Sequence, residues 1–413
     1  MASGFESLLI GSYTSNMQTY IPRYLTGDIL RRLENMPAVA ILGPRQCGKS
    51  TLARHIISER KDAVYLDLER PSDVNKLRDP EAFFALNRGR LVCLDEIQLV
   101  PGLFAALRPI LDEEGENGRL LILGSASRDL IRQSSESLAG RISYLELTPF
   151  MIDEVGAENL YTLWLRGGFP RSFLAPDERA SLEWRQDFVR TFLERDIPQL
   201  GFRIPASSIR RLWQMCAHVH GQVLNASMIG KALGTSHHTV KSYMDILAET
   251  FILRILPPFH ANLKKRLIKS PKIYIRDSGL LHCLLGITSH NDLLGHPVFG
   301  ASWEGLVLET VISRTPDWQH SFYRTRSGVE IDLILKRGTR TVAIECKATT
   351  APRPGKGFWQ ALKDLSIEEA FIVAPVTEGY PIERGVKVVP LVDLLGVLSG
   401  SLSGRDGSKT SAG

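Results

Sequence analysis

The chain has 413 residues, 44 % hydrophobic and 23 % charged, with five cysteines and a net charge of +5. That composition excludes a largely disordered chain, and the length exceeds one compact core, predicting two or three domains of roughly 150 residues. No apolar run nears the roughly 20 residues that span a bilayer, the start MASGFESLLIGSYTSN has no secretion-signal pattern, and cysteines at 47, 93, 216, 283 and 346 form no CxxC pair. A cytoplasmic protein with no membrane partner, no disulfide framework and no structural zinc is expected.

In chain order, residues 1–26 are a polar lead-in, followed by a run that alternates strand-like and helix-like pieces. Ala38–Leu42 is a short apolar strand that enters a Gly-rich turn, and Lys49–Ser58 reads as a helix. Further apolar strands follow at 63–68, 91–95, 120–124 and 142–145, with helical segments between most of them. Continuously apolar strands separated by helices predict a parallel sheet covered on both faces, an α/β domain over 27–154.

Gly43-Pro44-Arg45-Gln46-Cys47-Gly48-Lys49-Ser50, then Thr51, fits GxxxxGK[ST] between strand and helix, the context that a phosphate-binding loop requires. Backbone N–H groups and the helix N-terminus would cradle ATP, with Lys49 reaching the β- and γ-phosphates and Ser50 holding Mg²⁺. Leu91–Glu96 is a strand ending in paired carboxylates. Asp95 is the expected second metal residue and Glu96 the residue that polarises the attacking water. Ser125, ending the 120–124 strand, sits where a γ-phosphate sensor would lie, or is an ordinary strand-end serine.

The strands resemble the additional-strand class of P-loop ATPases. GPRQCGKS, LDEIQ at 94–98, SLAGR at 137–141 with LTPF at 147–150, LRGGFP at 165–170 and FLERDI at 192–197 resemble the AAA-like ATPases of the DUF4143 family, over nearly the whole chain. Such ATPases have an arginine facing the γ-phosphate, here expected from the same subunit or, in a homo-oligomer, from a neighbouring one. Arg141 is the first candidate and Arg195 the second.

Residues 155–295 are expected to form a helical linker and a winged helix. Met228–Leu233, a turn at Gly234 and a helix capped by Thr235 or Ser236 have helix-turn-helix layout, and the strand Phe251–Leu256 with a basic hairpin would form the wing. His237, His238, Thr239 and Lys241 would face a DNA groove, with Lys264, Lys265 and Arg266 on the hairpin. Between Ile197 and Arg276 twelve Lys/Arg stand against Asp245 and Glu249, a net +10, which leaves −5 for the rest. Such a patch is the footprint of a phosphate backbone, though a winged helix can also serve only to pack domains together.

Residues 296–398 are expected to form an α/β unit, and 399–413, Ser/Gly-rich, a disordered tail. Val329–Leu335 and Val342–Lys347 read as two strands joined by a polar turn, which would bring Asp332, Glu345 and Lys347 together. Asp332 with Glu345-Cys346-Lys347 resembles the PD-(D/E)xK nuclease core. That resemblance implies a Mg²⁺ site at Asp332, Glu345 and Glu304, with Lys347 catalytic and Gln360 assisting; a hairpin with solvated charges, or a nuclease-like fold kept for binding, is the alternative. The functional expectation is a Mg²⁺-dependent ATPase that couples ATP to DNA binding and to metal-dependent DNA cleavage. The alternatives are a regulatory ATPase whose inert nuclease-like domain binds a protein partner, and a winged-helix transcriptional regulator.

Overall fold

The computed structural model describes residues 20–400 apart from 61, 126–135, 201, 203 and 260–266. The expected tail and the hairpin residues Lys264, Lys265 and Arg266 lie outside the described residues. Strands β1 (Ala38–Gly43), β2 (Val64–Asp67), β3 (Val92–Asp95), β4 (Leu120–Ser125) and β5 (Ile142–Glu146) form one parallel sheet in the order β2-β3-β4-β1-β5. Every residue of β1 is buried. Ala38, Ala40 and Leu42 enter one apolar cluster while Val39 and Ile41 enter another on the opposite face. Continuous apolar strands are what a sheet sandwiched between helices requires. The extra strand β4 lies between β1, which carries the phosphate loop, and β3, which carries Asp95.

The middle of the chain is helical. Helices Ala206–His218, Ala226–Leu233 and His237–Glu249 precede an antiparallel pair, β6 (Leu253–Leu256) and β7 (Lys272–Ile275). The second of these helices ends at Gly234 in the left-handed region, and the third begins at Ser236, whose hydroxyl accepts from the Thr239 N–H. That local chemistry separates the two helices with a tight turn. Phe251, expected within a strand, instead takes a positive φ of 62° in the turn before it.

The C-terminal sheet runs β12 (Tyr380–Glu383), β13 (Val386–Val389), β11 (Glu369–Val373), β10 (Arg340–Cys346), β9 (Glu330–Arg337), β8 (Gln319–Arg324). Its β9–β10 hairpin is the one expected from sequence. One apolar core runs without interruption from Trp164, Trp213 and Met244 in the helical region to Trp303, Leu333 and Ile344 in the C-terminal region. A second cluster, including Ile334, Ala343 and Phe358, fills the space behind the sheet. The helical and C-terminal regions are therefore welded by burial, not joined by a linker.

Candidate functional site

The phosphate loop leaves the C-terminal end of β1 and turns into the helix Lys49–Ser58. Two backbone positions force its shape. Gly48 has φ 103°, which a side chain would strain, and a Cβ at Gly43 would stand 2.2 Å from the Leu147 carbonyl oxygen. The Lys49 ammonium is buried and donates to the Gly43 and Pro44 carbonyls at 3.0 and 2.8 Å, so the loop's own oxygens hold it at the place where phosphate oxygens would be received. A cleft of about 500 Å³ opens over the loop, lined by Gln46, Gly48, Lys49, Ser50, Thr51 and Glu96. Its apolar wall comes from Ile21, Phe150, Pro170 and Leu174.

Asp95, at the end of β3, is buried; one carboxylate oxygen accepts from the Tyr65 hydroxyl and the other from the Glu96 N–H at 3.0 Å. Burial and that hydrogen bond to Asp95 push the Tyr65 phenol well above its ordinary range. Glu96 follows in the left-handed region at φ 57°, a conformation uncommon outside glycine. Burial raises its carboxyl, against the pull of Lys49, and its side chain accepts from Gln98. A carboxylate whose proton affinity burial raises, within the field of the Lys49 ammonium, has the properties of a group that takes or orients a proton of water. Ser125 is the register partner of Gly43, which puts its backbone beside the loop.

Sequence reasoning missed part of this site by assigning 20–26 to a lead-in. The buried Arg23 donates to the Cys47 carbonyl at 2.9 Å and to the Thr148 carbonyl, and pairs with Glu154 at 3.1 Å. A polar segment gives no periodic signal for such a clamp; the available clue was the LTPF motif that it holds. Arg45 reaches out of the loop to Asp196, and to Gln199 at 3.0 Å, in the turn of π-helix and short helix that follows Phe192. Arg195 shares a second cavity with Gly43, Pro44, Arg45 and Glu96, and its nearest carboxylate is Glu69 at 4.0 Å.

Arg141 requires correction as a group facing the γ-phosphate within its own subunit. Parallel register pairs Ala38 with Ile142, so Arg141 lies at the opposite end of β1 from the loop, roughly 17 Å away at the rise of a strand. There it forms a bidentate pair with Asp112.

The helix expected to face DNA shows His237, His238 and Lys241 exposed. The two histidine rings lie tilted by 35° with centroids 4.1 Å apart, and the Thr239 hydroxyl is engaged at 2.9 Å with the Ser236 cap rather than directed outward. The +10 overstates the surface patch. Lys272, Arg254 and Arg276 turn inward to carboxylates from outside the stretch. Arg254 and Arg276 grip Glu309 at 2.8 and 2.6 Å, and Arg276 also binds Glu146. Burial opposes ionisation of Glu309, yet the two guanidiniums hold its carboxyl down at about 2.

In the C-terminal region β9 and β10 stay paired only as far as Leu333 and Ile344 and then part, β9 continuing against β8 and β10 against β11. Asp332 and Glu345 sit at this fork. The Cys346 N–H donates to Asp332 at 2.9 Å, and Lys347 donates to Glu345 at 2.7 Å. Glu304 also arrives there, from the helix Phe299–Arg314. The three carboxylates do not form the expected metal cage: among the described residues no group of three His, Cys, Asp or Glu could hold a metal ion. The reason is Lys272, which the sequence reading counted only as surface charge. Its buried ammonium lies 2.7 Å from Glu330, 3.0 Å from Glu304 and 3.6 Å from Asp332. Burial opposes that charge, but the three carboxylates together raise the pKa of Lys272. Burial and the nearness of Asp332 raise both Glu304 and Glu345. Gln360 is exposed and donates to Asp364, away from the fork.

Residues 35–156 match the family described as AAA domain, 299–394 a domain of unknown function, DUF4143, and 157–291 another, DUF8612. The uncharacterized proteins Mb2031c of Mycobacterium bovis and Rv2008c of Mycobacterium tuberculosis are each 40 % identical over 365 residues, 88 % of this chain and 82 % of theirs. The Walker-type ATPase PABY2304 of Pyrococcus abyssi aligns with 65 % of this chain and 97 % of its own, at 16 % identity and a TM-score of 0.48. No helix among the described residues is long and apolar enough to cross a membrane. The phosphate loop, the carboxylate-bearing strand one place removed from it, and the two mycobacterial relatives lead to one conclusion: the chain belongs to the AAA-like P-loop ATPases of the DUF4143 family.

Proposed function

We propose that the chain is a Mg²⁺-dependent ATP hydrolase whose nucleotide site, within 27–154, acts on a DNA-binding winged helix within 155–295 and on a nuclease-like module over 296–398. The observation that carries the ATPase reading is that Lys49 and Glu96 line one cleft at the C-terminal edge of a parallel sheet, with Asp95 buried directly before Glu96 at the end of β3. The residues fit the metal: Ser50 opens the helix under the loop, and Asp95 is a buried carboxylate with both oxygens already oriented. Bound Mg²⁺ would neutralise charge on the β- and γ-phosphates. Lys49 moves from the loop carbonyls to phosphate oxygens, and Glu96 holds the attacking water and draws on its proton. Arg45 and Arg195 border the space on the far side of Glu96. Arg141 acts, if at all, on the nucleotide of a neighbouring copy in an oligomer.

Hydrolysis of radiolabelled ATP tests this directly. Glu96→Gln is expected to retain binding of a fluorescent ATP analogue while hydrolysis slows roughly 100-fold or more, and Lys49→Ala to lose both. A purified wild-type chain that binds ATP but never turns it over, with or without DNA, would overturn the reading.

Lys272 favours a second reading of the C-terminal module, as a fold kept for binding, because its ammonium already occupies the centre of Glu304, Glu330 and Asp332. On that reading supercoiled plasmid stays intact with Mn²⁺ or Mg²⁺. Nicking that disappears in Asp332→Ala would restore the nuclease.

A further inference from the structure

An open groove of about 790 Å³ lies between the helix His237–Glu249, whose His237 and Lys241 are exposed, and Arg326 of the C-terminal sheet. His237 and Lys241 line one side, Lys269 the near arm of the hairpin, and Arg326 the opposite side. Arg326 belongs to the turn between β8 and β9, far along the chain from the helices. Among the described residues lining the groove there is no carboxylate. Lys241, Lys269 and Arg326 are exposed. These cations are also unlike Lys272, Arg254 and Arg276, whose charge is used internally.

The hairpin arm beside the groove is fixed to the C-terminal sheet by backbone bonds. The Phe259 N–H donates to the Phe322 carbonyl at 2.6 Å, and the Ile268 N–H to the Arg324 carbonyl at 3.0 Å, so both arms of the hairpin are stitched to the edge strand β8. Leu267 bridges Thr325, the residue before Arg326. The Leu224 N–H binds the Pro271 carbonyl at 2.8 Å across the floor. Lys269 and Arg326 are thus held in register by the sheet, not by a flexible tether, which lowers the ordering cost of a partner that spans them.

Resting on the DNA-binding reading above, we propose that this groove is a composite duplex-DNA site in which Arg326 of the C-terminal sheet and Lys269 of the hairpin grip a phosphate backbone beside the helix His237–Glu249. A major groove about 12 Å wide admits a helix, and the polar ends His237 and Lys241 are what such a helix presents there. Cations flanking the helix at fixed spacing suit the phosphates that border the groove. The partner therefore contacts the helical and C-terminal regions at once.

Fluorescence anisotropy of a labelled 20-base-pair duplex, a 20-nucleotide single strand and a poly-glutamate peptide tests this with the full-length chain across a salt series. Because Arg326 is exposed on a turn, Arg326→Ala leaves the fold intact. It is expected to weaken duplex binding roughly three- to tenfold and to reduce the salt slope by about one, with Lys269→Ala and Lys241→Ala behaving alike and Arg326→Lys close to wild type. Loss of affinity in Lys241→Ala with none in Arg326→Ala would overturn the composite groove while leaving DNA binding in place. No duplex binding by the wild-type chain would overturn both. Equal or tighter binding of the peptide or the single strand, competing with the duplex, would overturn the assignment of the occupant.

Discussion

Replacing Lys272 with methionine keeps the length of the side chain and deletes the cation shared by Glu304, Glu330 and Asp332. At separations of 2.7, 3.0 and 3.6 Å, and an effective dielectric of about 20, each contact has a gross attraction of about 5 kcal/mol. Desolvation of the ammonium and of the carboxylates cancels several kcal/mol per ion. The expected net loss at neutral pH is about 3–5 kcal/mol, the usual range when one partner of a buried pair is removed. In the fused helical and C-terminal core this corresponds to a fall in Tm of roughly 10 °C. The deficit must shrink on acidification, because Glu304 and Glu345 are already raised by burial and by Asp332. Without Lys272 they take up protons more readily, and neutral carboxyls no longer need the cation. Thermal melts at pH 8 and pH 5.5, beside Lys272→Met/Glu304→Gln, measure this. A Lys272→Met chain as stable as wild type at pH 8, or equally weakened at both pH values, would refute the claim that Lys272 is the resident counter-ion of the fork. So would failure of the double variant to recover stability.

Glu96 ionises above the ordinary carboxylate range, so its base form is lost at a correspondingly higher pH as acid is added; the rate of hydrolysis should fall on that limb, and Glu96→Gln should flatten it in a pH–rate profile. His220 and His282 are held neutral by burial, both at about 3 against an ordinary 6.5. Their unfolded forms take protons first, so their own contribution is complete above about pH 6.5 and falls as the pH drops toward 3, by about 1.4 kcal/mol per unit for each. The raised Glu304 and Glu345 act with the opposite sign over the same range, so the readout is the difference, with His282→Gln losing about 1.4 kcal/mol per unit less than wild type in melts between pH 6 and 5. Arg45 and Asp196 should show a coupling of about 1–3 kcal/mol in a double-mutant cycle with Arg45→Met and Asp196→Leu, read by denaturation. Arg141→Ala should leave hydrolysis unchanged at dilutions where the chain is monomeric, and a loss there would contradict its position beyond the far end of β1.

The features legible in sequence are those with a local code. Gly43–Ser50 announces its loop because only glycine serves at Gly48 and at the close approach of Gly43 to Leu147. The strands ending at Asp95 and Ser125 announce themselves as short apolar runs. The turn at Gly234 and the cap at Ser236 likewise follow from residue type. The clamp of Arg23 onto Cys47 and Thr148 had no such code, since its partners lie 24 and 125 residues away. Arg141 was misplaced for a related reason. A motif states that an arginine adjoins a strand, but the direction and register of that strand decide which end of the sheet receives it.

Charge shows the same division most sharply. A net of +10 over one stretch is a property of sequence, but whether it faces water depends on which carboxylates fold against it. Glu146 at the end of β5, Glu309 and Glu304 on the helix Phe299–Arg314, and Glu330 and Asp332 on β9 come from three distant segments to neutralise Arg254, Arg276 and Lys272. Burying those pairs is tolerable because Lys272, Arg276 and Glu309 are each met by more than one group of opposite charge. In meeting them the chain ties the ATPase sheet to the hairpin strands through Glu146, and the hairpin strands to the C-terminal sheet through Glu330. Two exposed cations of the stretch, Lys241 and Lys269, gather on one groove with Arg326 of the C-terminal sheet. A displacement of β5 would thus be felt at β7 through Arg276, and β7 also carries Lys272 into the fork. One physical connection between the ATPase sheet and the C-terminal module is therefore β7 with Arg276 just beyond it, its two inward-facing cations four residues apart; Arg23, Glu154 and Arg314 form another.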